Sequence, residues 1–308
     1  MKIQHTWRKN DLPMMIAEIG GNHEGNFNKA LELLELAIES GVHCIKFQLY
    51  SGDTLVNRKL SPSRNLHFKK FELSKEQHIK LAKICFDNNV IYNASVWDLD
   101  MLNWIDEYLL FYKIGSGDLT AYPILKEFAL RGKPIILSTG LANEQEVLDS
   151  IDFIQSVNST YKNPSMLCIM QCTSMYPISK SFTHLKTLKR FREITNLSVG
   201  YSDHTIGDDA LKIAAAMGAD VLEFHFTDTR LGKDFRDHKV SLTKDEVINL
   251  RKEINEINIL MGESVKKLQK IEIDNNHHIS FRRGVYLRRE IKKGDIIKAN
   301  DLVFLRPL

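Results

Sequence analysis

The chain of 308 residues has only four cysteines, Cys44, Cys85, Cys168 and Cys172, and their spacing makes no metal knuckle. Cys168 and Cys172 stand four apart in a strand-like run, so both are expected in the interior, as suits a reducing cytosol. No apolar run approaches the roughly 20 residues a membrane-spanning helix needs. Residues 1–9 carry no apolar signal core. A cytoplasmic protein with no membrane partner is the expectation. Charge of one sign is also lacking: 42 Lys and Arg face 39 Asp and Glu, a formal net charge of +3. That is too small to draw nucleic acid. A dinucleotide-type phosphate turn is missing as well, because Gly20-Gly21 after the first apolar run has no GxGxxG spacing.

What is present is an alternation. Short apolar runs at 14–20, 44–50, 91–97, 112–117, 134–140, 166–172, 198–202 and 221–226 read as strands. Between and after them, 28–40, 75–88, 100–107, 122–130, 143–157, 183–192, 208–217 and 243–261 carry apolar residues at three- and four-residue spacing, as in Leu31, Leu34 and Ile38. Several strands follow a helix through a glycine turn, as at Ser40-Gly41 and Met217-Gly218. Eight strands alternating with eight helices predict an α/β chain, a (β/α)8 TIM barrel, over residues 1–265. A doubly wound open sheet is the alternative. Residues 266–281 are polar and read as a linker. Residues 282–308 contain a Lys292-Lys293-Gly294-Asp295 turn and read as a small β unit. So few residues cannot bury enough surface to fold alone, so this unit must dock on the barrel or on a partner subunit.

Polar residues fall at the C-terminal ends of these strands, which in a barrel face the active-site mouth. His204 ends the seventh and His225 the eighth, with Glu223 beside them, and two such imidazoles are suited to a divalent metal that polarises a carbonyl. Glu18, Lys46 and Lys113 sit on interior strands, where an unpaired charge is expensive to bury. Two lysines, the hydroxyls of Ser116 and Ser138 and several glycine amides converging on one mouth suit a phosphorylated, carboxylated anion. Each of these residues also has a plainer reading. The lysines serve as salt-bridge partners of Glu18 and Glu223, Ser138-Thr139-Gly140 caps the next helix, Tyr176-Pro177 is turn chemistry, and His23 is a local loop residue.

Seven motifs then appear in order between about residue 14 and 245. They are Ala17-Glu18-Ile19-Gly20-x-Asn22-His23-x-Gly25, Lys46-Phe47-Gln48, Tyr112-Lys113-Ile114-Gly115-Ser116-Gly117-Asp118, Ile136-Leu137-Ser138-Thr139-Gly140, Cys172-Thr173-Ser174-x-Tyr176-Pro177, Gly200-Tyr201-Ser202-Asp203-His204-Thr205 and Glu223-x-His225-Phe226-Thr227. Together they strongly resemble the sialic acid synthase family, which includes synthases of N-acetylneuraminic, legionaminic and pseudaminic acids. The C-terminal segment resembles the start of that family's antifreeze-like (SAF) domain, in shortened form.

The resemblance implies a transferase of surface-polysaccharide biosynthesis. It condenses phosphoenolpyruvate with the open-chain aldehyde of an N-acetylated hexosamine and releases phosphate. It implies that His204 and His225 bind a divalent metal, manganese before magnesium or cobalt. It places Lys46, Lys113, Ser116 and Ser138 on phosphoenolpyruvate. Glu18 and Glu223 would handle protons, and Gln48, Asn65, Ser174, Tyr176 and Asp237 would line the sugar pocket. Arg306 would reach a partner's active site in a homodimer. The alternatives are a metal-dependent barrel aldolase or isomerase acting on a sugar, and a non-catalytic sugar-binding paralogue. Three departures fall on the sugar side: Ala94-Ser95-Val96-Trp97-Asp98 in place of Ser-Thr-Pro-Phe, Ser174 in place of Asn, and 234–238 in place of a Pro-Gly-Pro-Asp turn. The resemblance therefore does not name the sugar.

Overall fold

Period-two patterning sorts each strand into an outward apolar face and an inward face that changes character along its length. The computed structural model describes residues 7–9 and 12–308. Residues 1–6, part of the stretch read for a signal segment, lie outside the described residues. The strands are β1 (Arg8–Lys9), β2 (Leu12–Glu18), β3 (Cys44–Leu49), β4 (Ile91–Val96), β5 (Tyr112–Ile114), β6 (Ile135–Ser138), β7 (Leu167–Cys172), β8 (Ser198–Asp203) and β9 (Val221–His225). From β2 to β9 all ladders are parallel, in the order β4-β3-β2-β9-β8-β7-β6-β5, and β1 adds antiparallel to β2. The first and last barrel strands pair directly, Glu18 opposite His225, which joins the two halves of the barrel. The expected (β/α)8 barrel is present, each strand end falling within a few residues of its sequence reading.

The inward residues explain where the site lies. At the N-terminal end, Met14, Ile16, Cys44, Phe111, Ile136, Cys168, Met170 and Val221 form one buried apolar plug. Trp7 packs edge-on against Phe111, with ring centroids 5.7 Å apart, and closes that end. One step of two further along the same strands, the inward residues are Glu18, Lys46, Ser95, Lys113, Ser138, Cys172, Ser202 and Glu223, and all line one cavity. Gly200 is the glycine this layering requires. A Cβ there would stand 2.8 Å from the Val221 carbonyl oxygen, too close for any side chain. Between β4 and β5 there is no ladder among the described residues. The seam is bridged by the Asn93 side-chain amide, which donates to the Phe111 carbonyl at 2.8 Å.

The outer ring comprises α1 (Phe27–Ser40), α4 (Lys75–Asp87), α5 (Leu99–Ile105), α6 (Tyr122–Arg131), α7 (Glu144–Val157), α8 (Lys186–Thr195), α9 (Asp209–Ala216) and α11 (Lys244–Met261). Three short helices were not expected from the sequence: α2 (Gly52–Leu55), α3 (Pro62–Phe71) and α10 (Asp237–Val240). Helix α3 buries only Asn65 and Phe71 and leaves Leu66 67% exposed, so it has no apolar stripe to read. No helix is long and apolar enough to cross a membrane among the described residues.

The chain divides into two units, Met1–Met261 and Gly262–Leu308. The boundary falls slightly before the expected 265. The second unit holds α12 (Lys270–Asp274) and α13 (His277–Ser280) where a linker at 266–281 was expected. Gln269 and Glu272 form a capping box there, giving a polar segment a helix start that hydrophobic periodicity does not reveal. Within the same unit β10 (Gly284–Leu287) pairs antiparallel with β11 (Leu302–Leu305), in line with the expected β unit. Arg289 donates to the buried Asp301 carboxylate at 2.6 Å and fastens the intervening turn.

Candidate active site

The floor of the cavity is a buried ionic network. Lys46 pairs with Glu18 and lies 3.8 Å from Glu223, while Lys113 lies 3.1 Å from Glu223. Ser202 donates to Glu223 at 2.9 Å, Lys46 to the Ser95 hydroxyl at 3.2 Å, and Gln48 to Glu18 at 3.0 Å. The plainer reading of the lysines, as salt-bridge partners of Glu18 and Glu223, is what the geometry shows, and each lysine also lines the cavity. The two carboxylates differ in kind. Burial raises the Glu18 pKa, and Lys46 offsets only part of that. Burial also opposes ionisation of Glu223, but Lys113, Lys46 and the Ser202 hydrogen bond outweigh it and hold that pKa low. Carboxylates separated in this way supply one group able to carry a proton and one that stays ionised.

Beside Lys113 lies a small hydroxyl pocket. The Gly140 amide donates to Ser116 Oγ at 3.0 Å, and a Cβ on Gly140 would stand 2.3 Å from Ser174 Oγ and 2.8 Å from Ser116 Oγ. Glycine is thus required for the two serines to close around this backbone. Ser138 Oγ is buried and has no hydrogen-bond partner. A buried hydroxyl without a partner is costly unless a ligand completes it.

In the same cavity His204 and His225 come together with ring centroids 5.4 Å apart. Burial lowers both pKa values, so both rings are neutral near pH 7. His204 Nδ1 faces the Thr173 carbonyl at 2.8 Å, which assigns its proton to Nδ1 and leaves Nε2 as a lone pair. His225 Nδ1 is buried without a hydrogen-bond partner, and the nearest Asp237 carboxylate oxygen is 3.9 Å away. Two neutral imidazoles, one with an orphaned nitrogen, fit the donor set of a divalent metal. Glu223 does not complete it. Its oxygens face the lysines, and no group of three or more His, Cys, Asp or Glu suited to a metal occurs among the described residues. Glu223 shares the cavity with the imidazoles, as its place two residues before His225 implies.

Gln48, Ser174, Tyr176 and Asp237 line the cavity. Tyr176 packs on His204 at 4.0 Å between centroids. Asn65 does not line it. Its amide donates to the carbonyls of Gly52 at 2.6 Å and Val56 at 3.1 Å and ties α2 to α3, and its neighbour Arg64 reaches the cavity instead. Arg306 belongs to the second unit, where its guanidinium lies 5.7 Å from the Phe281 ring. His23 is a loop residue, as read: its Nδ1 accepts from the Gly25 amide at 3.0 Å. All four cysteines are free and buried. Sequence reasoning did not assign roles to Ser95, Trp97, Asp118, Ser202, His67, Phe68 or Arg236, all of which line the cavity. Ser95 and Ser202 could have been found by extending the inward period of β4 and β8. Burial pushes the Asp118 carboxyl up to about 6.

A barrel with this charge network at its C-terminal mouth is that of an enzyme, and its relatives narrow the class. The NeuB family matches residues 33–266. N,N'-diacetyllegionaminic acid synthase of Campylobacter jejuni is 33% identical, the match covering 96% of this chain and 90% of that protein. The protein of the same name from Legionella pneumophila is 34% identical over 95% of this chain and 85% of that one. The crystal structure of N-acetylneuraminic acid (sialic acid) synthetase from Leptospira borgpetersenii, in complex with citrate, superposes with a TM-score of 0.80 at 26% identity, covering 87% of this chain and 92% of that one. The chain belongs to the NeuB family, and it is a C–C bond-forming transferase.

Proposed function

We propose that this enzyme condenses phosphoenolpyruvate with the open-chain aldehyde of an N-acetylated hexosamine, giving a nonulosonic acid and phosphate. The observation that carries the reading is the meeting, on one buried floor, of Lys46 and Lys113 with the unpartnered Ser138 hydroxyl. A phosphate and a carboxylate need cations and fixed hydrogen-bond donors to share a site. Lys46, Lys113, Ser116 and Ser138 hold phosphoenolpyruvate so that its methylene carbon lies near the aldehyde carbon, about 3–3.5 Å away in a productive pose. When bound at His204 and His225, a divalent metal, manganese before magnesium or cobalt, supplies Lewis-acid polarisation of the aldehyde.

In the reaction the enol carbon forms the new C–C bond, water adds to the cationic carbon left behind, and the C–O bond to phosphate breaks to leave a ketone. Glu18, whose raised pKa makes its carboxylate the stronger base of the two, takes the proton from the attacking water and passes it on to the former aldehyde oxygen, which becomes a hydroxyl. Glu223 stays ionised and keeps both lysines in place. Gln48, Tyr176, Ser174 and Asp237 orient the sugar. A homodimer is part of the proposal, because in the second unit Val285, Ile296 and Phe304 are exposed and that unit needs a surface to dock on. A monomeric mass in solution counts against it. A cytoplasmic location is likewise proposed, from four free thiols.

The deciding measurement is phosphate release from phosphoenolpyruvate with manganese, against 2-acetamido and 2,4-diacetamido hexoses, with and without chelator. Release that needs one sugar and stops with chelator is expected. Absence of phosphoenolpyruvate binding by calorimetry rejects the reading. An aldolase acting on the same sugar leaves the hydroxyl pocket beside Lys113 without a use.

A further inference from the structure

Four cations with long side chains line the cavity: Lys46 and Lys113 at the floor, Arg64 and Arg236 at the rim. The floor lysines are each paired with buried carboxylates. The arginines are less fully paired. Arg64 has no ion pair among the described residues. Arg236 has one, from Nε to its neighbour Asp237 at 3.3 Å, and its two Nη groups have no partner among the described residues.

Each guanidinium instead rests on an aromatic face. Arg236 lies 4.7 Å from the centroid of Tyr176 and Arg64 lies 5.7 Å from that of Phe68. Stacking of this kind orients a planar cation and leaves its N–H edges available. Residues beside the two arginines meet at His67. His67 on α3 lies 5.6 Å from Phe68 and 5.8 Å from Phe235, the residue before Arg236. Its pKa is lowered first by burial and then by Arg236, Lys70 and Arg64. Asp234 lines the same rim but forms no ion pair with either arginine among the described residues, and Asp237 divides its two oxygens between Arg236 Nε and His225.

The hydroxyls of a neutral sugar do not neutralise two oriented guanidiniums whose outer N–H edges are without a protein partner among the described residues. A phosphate or carboxylate does, by bidentate N–H···O pairs. Resting on the synthase reading above, we propose that Arg64 and Arg236 form a second anion site, which receives an anionic substituent on the acceptor sugar at the end away from its aldehyde. It is separate from the floor site for phosphoenolpyruvate and determines which acceptor is taken.

The test is calorimetric titration of the full-length protein with a 2-acetamido hexose, its 6-phosphate and its 6-carboxylate. One anionic form is expected to bind about tenfold tighter than the neutral sugar, and which form does so identifies the substituent. In the Arg64→Gln/Arg236→Gln double variant that advantage is expected to vanish, while phosphoenolpyruvate affinity stays within about twofold, since the floor is untouched. Should the double variant not fold, each single exchange is expected to lose about threefold of the advantage. Equal binding of neutral and anionic sugars, or an advantage that survives both exchanges, overturns the proposal. Phosphate release assayed with the same sugars keeps the two readings apart. An arginine-dependent advantage without any release retains the rim site and rejects the synthase, while release with the neutral sugar alone does the reverse.

Discussion

Glu18 and Glu223 are the same kind of group in the same layer, and their neighbours make them different. Glu223 has two lysines and a serine; Glu18 has one lysine and a glutamine. Removing a partner from such a network leaves a buried charge uncompensated. Lys113→Met is therefore expected to cost about 3–5 kcal/mol, and Glu223→Gln added to it to restore part of that loss. Chemical denaturation of the two variants checks this, and full additivity of the two exchanges speaks against the pairing. Glu18→Gln removes the group that can hold a proton, so kcat is expected to fall by about 10²–10⁴ while phosphoenolpyruvate still binds. His225→Ala is expected to abolish phosphate release with the circular dichroism spectrum unchanged. Near-normal turnover in that variant removes the imidazole pair from the mechanism. At this scale the sequence was informative where charge was out of place: Glu18, Lys46 and Lys113 on barrel strands demanded an explanation. Asn65 was misread because a buried asparagine that ties two backbone segments carries no such mark, and Arg64, one position earlier, looks like any surface arginine.

Among the elements, strands proved easier to read than cap helices. A parallel barrel strand is buried on both faces, so its apolar run stands out from its polar flanks. Helix α3 carries no stripe, because it covers the cavity and has water on much of its surface. The two hydrogen bonds from Asn65 tie it to α2, beside the packing of Phe68 on Tyr50 and of Phe71 on Phe235. Asn65→Ala is expected to remove the side-chain bonds to the Gly52 and Val56 carbonyls, to cost about 1–3 kcal/mol and to expose residues 52–71 to proteolysis. A digestion pattern like that of the unaltered protein tells against this anchoring role. Gly200 sets the packing of β8 on β9, so Gly200→Ala is expected to lower stability by about 1–3 kcal/mol through backbone displacement. A thermal midpoint equal to the parent's shows that the strands can part to admit a methyl group.

For the molecule as a whole, burial of neutral histidines links stability to pH. Burial lowers His23 to about 4 and His78 to about 3, and His204 and His225 are lowered by the same cause. An unfolded chain takes up these protons near pH 6.5, while the folded chain refuses them. The contribution of each such residue is complete above pH 6.5 and is lost as pH falls toward its folded value. His78, bonded to the Tyr92 hydroxyl at 2.7 Å, isolates the effect. The stability lost in His78→Gln is expected to be largest at pH 7.5 and to shrink as pH falls below 6.5. A loss that is constant from pH 7.5 to 4.5, measured by urea unfolding, contradicts the assignment.

The seam between β4 and β5 bears on how the ring behaves when loaded. With one side-chain bridge in place of a ladder, the two strands can part there while the other strand pairs hold, so their seam-facing amides should exchange with solvent before those of β8 or β9. Lys46 and Ser95 lie on one side of that gap, Lys113 and Ser116 on the other. An anion grasped from both banks acts as a clasp across it. Occupancy should then be readable far from the reaction itself, as a slowing of deuterium uptake along β4 and β5 that spares the already laddered remainder of the barrel.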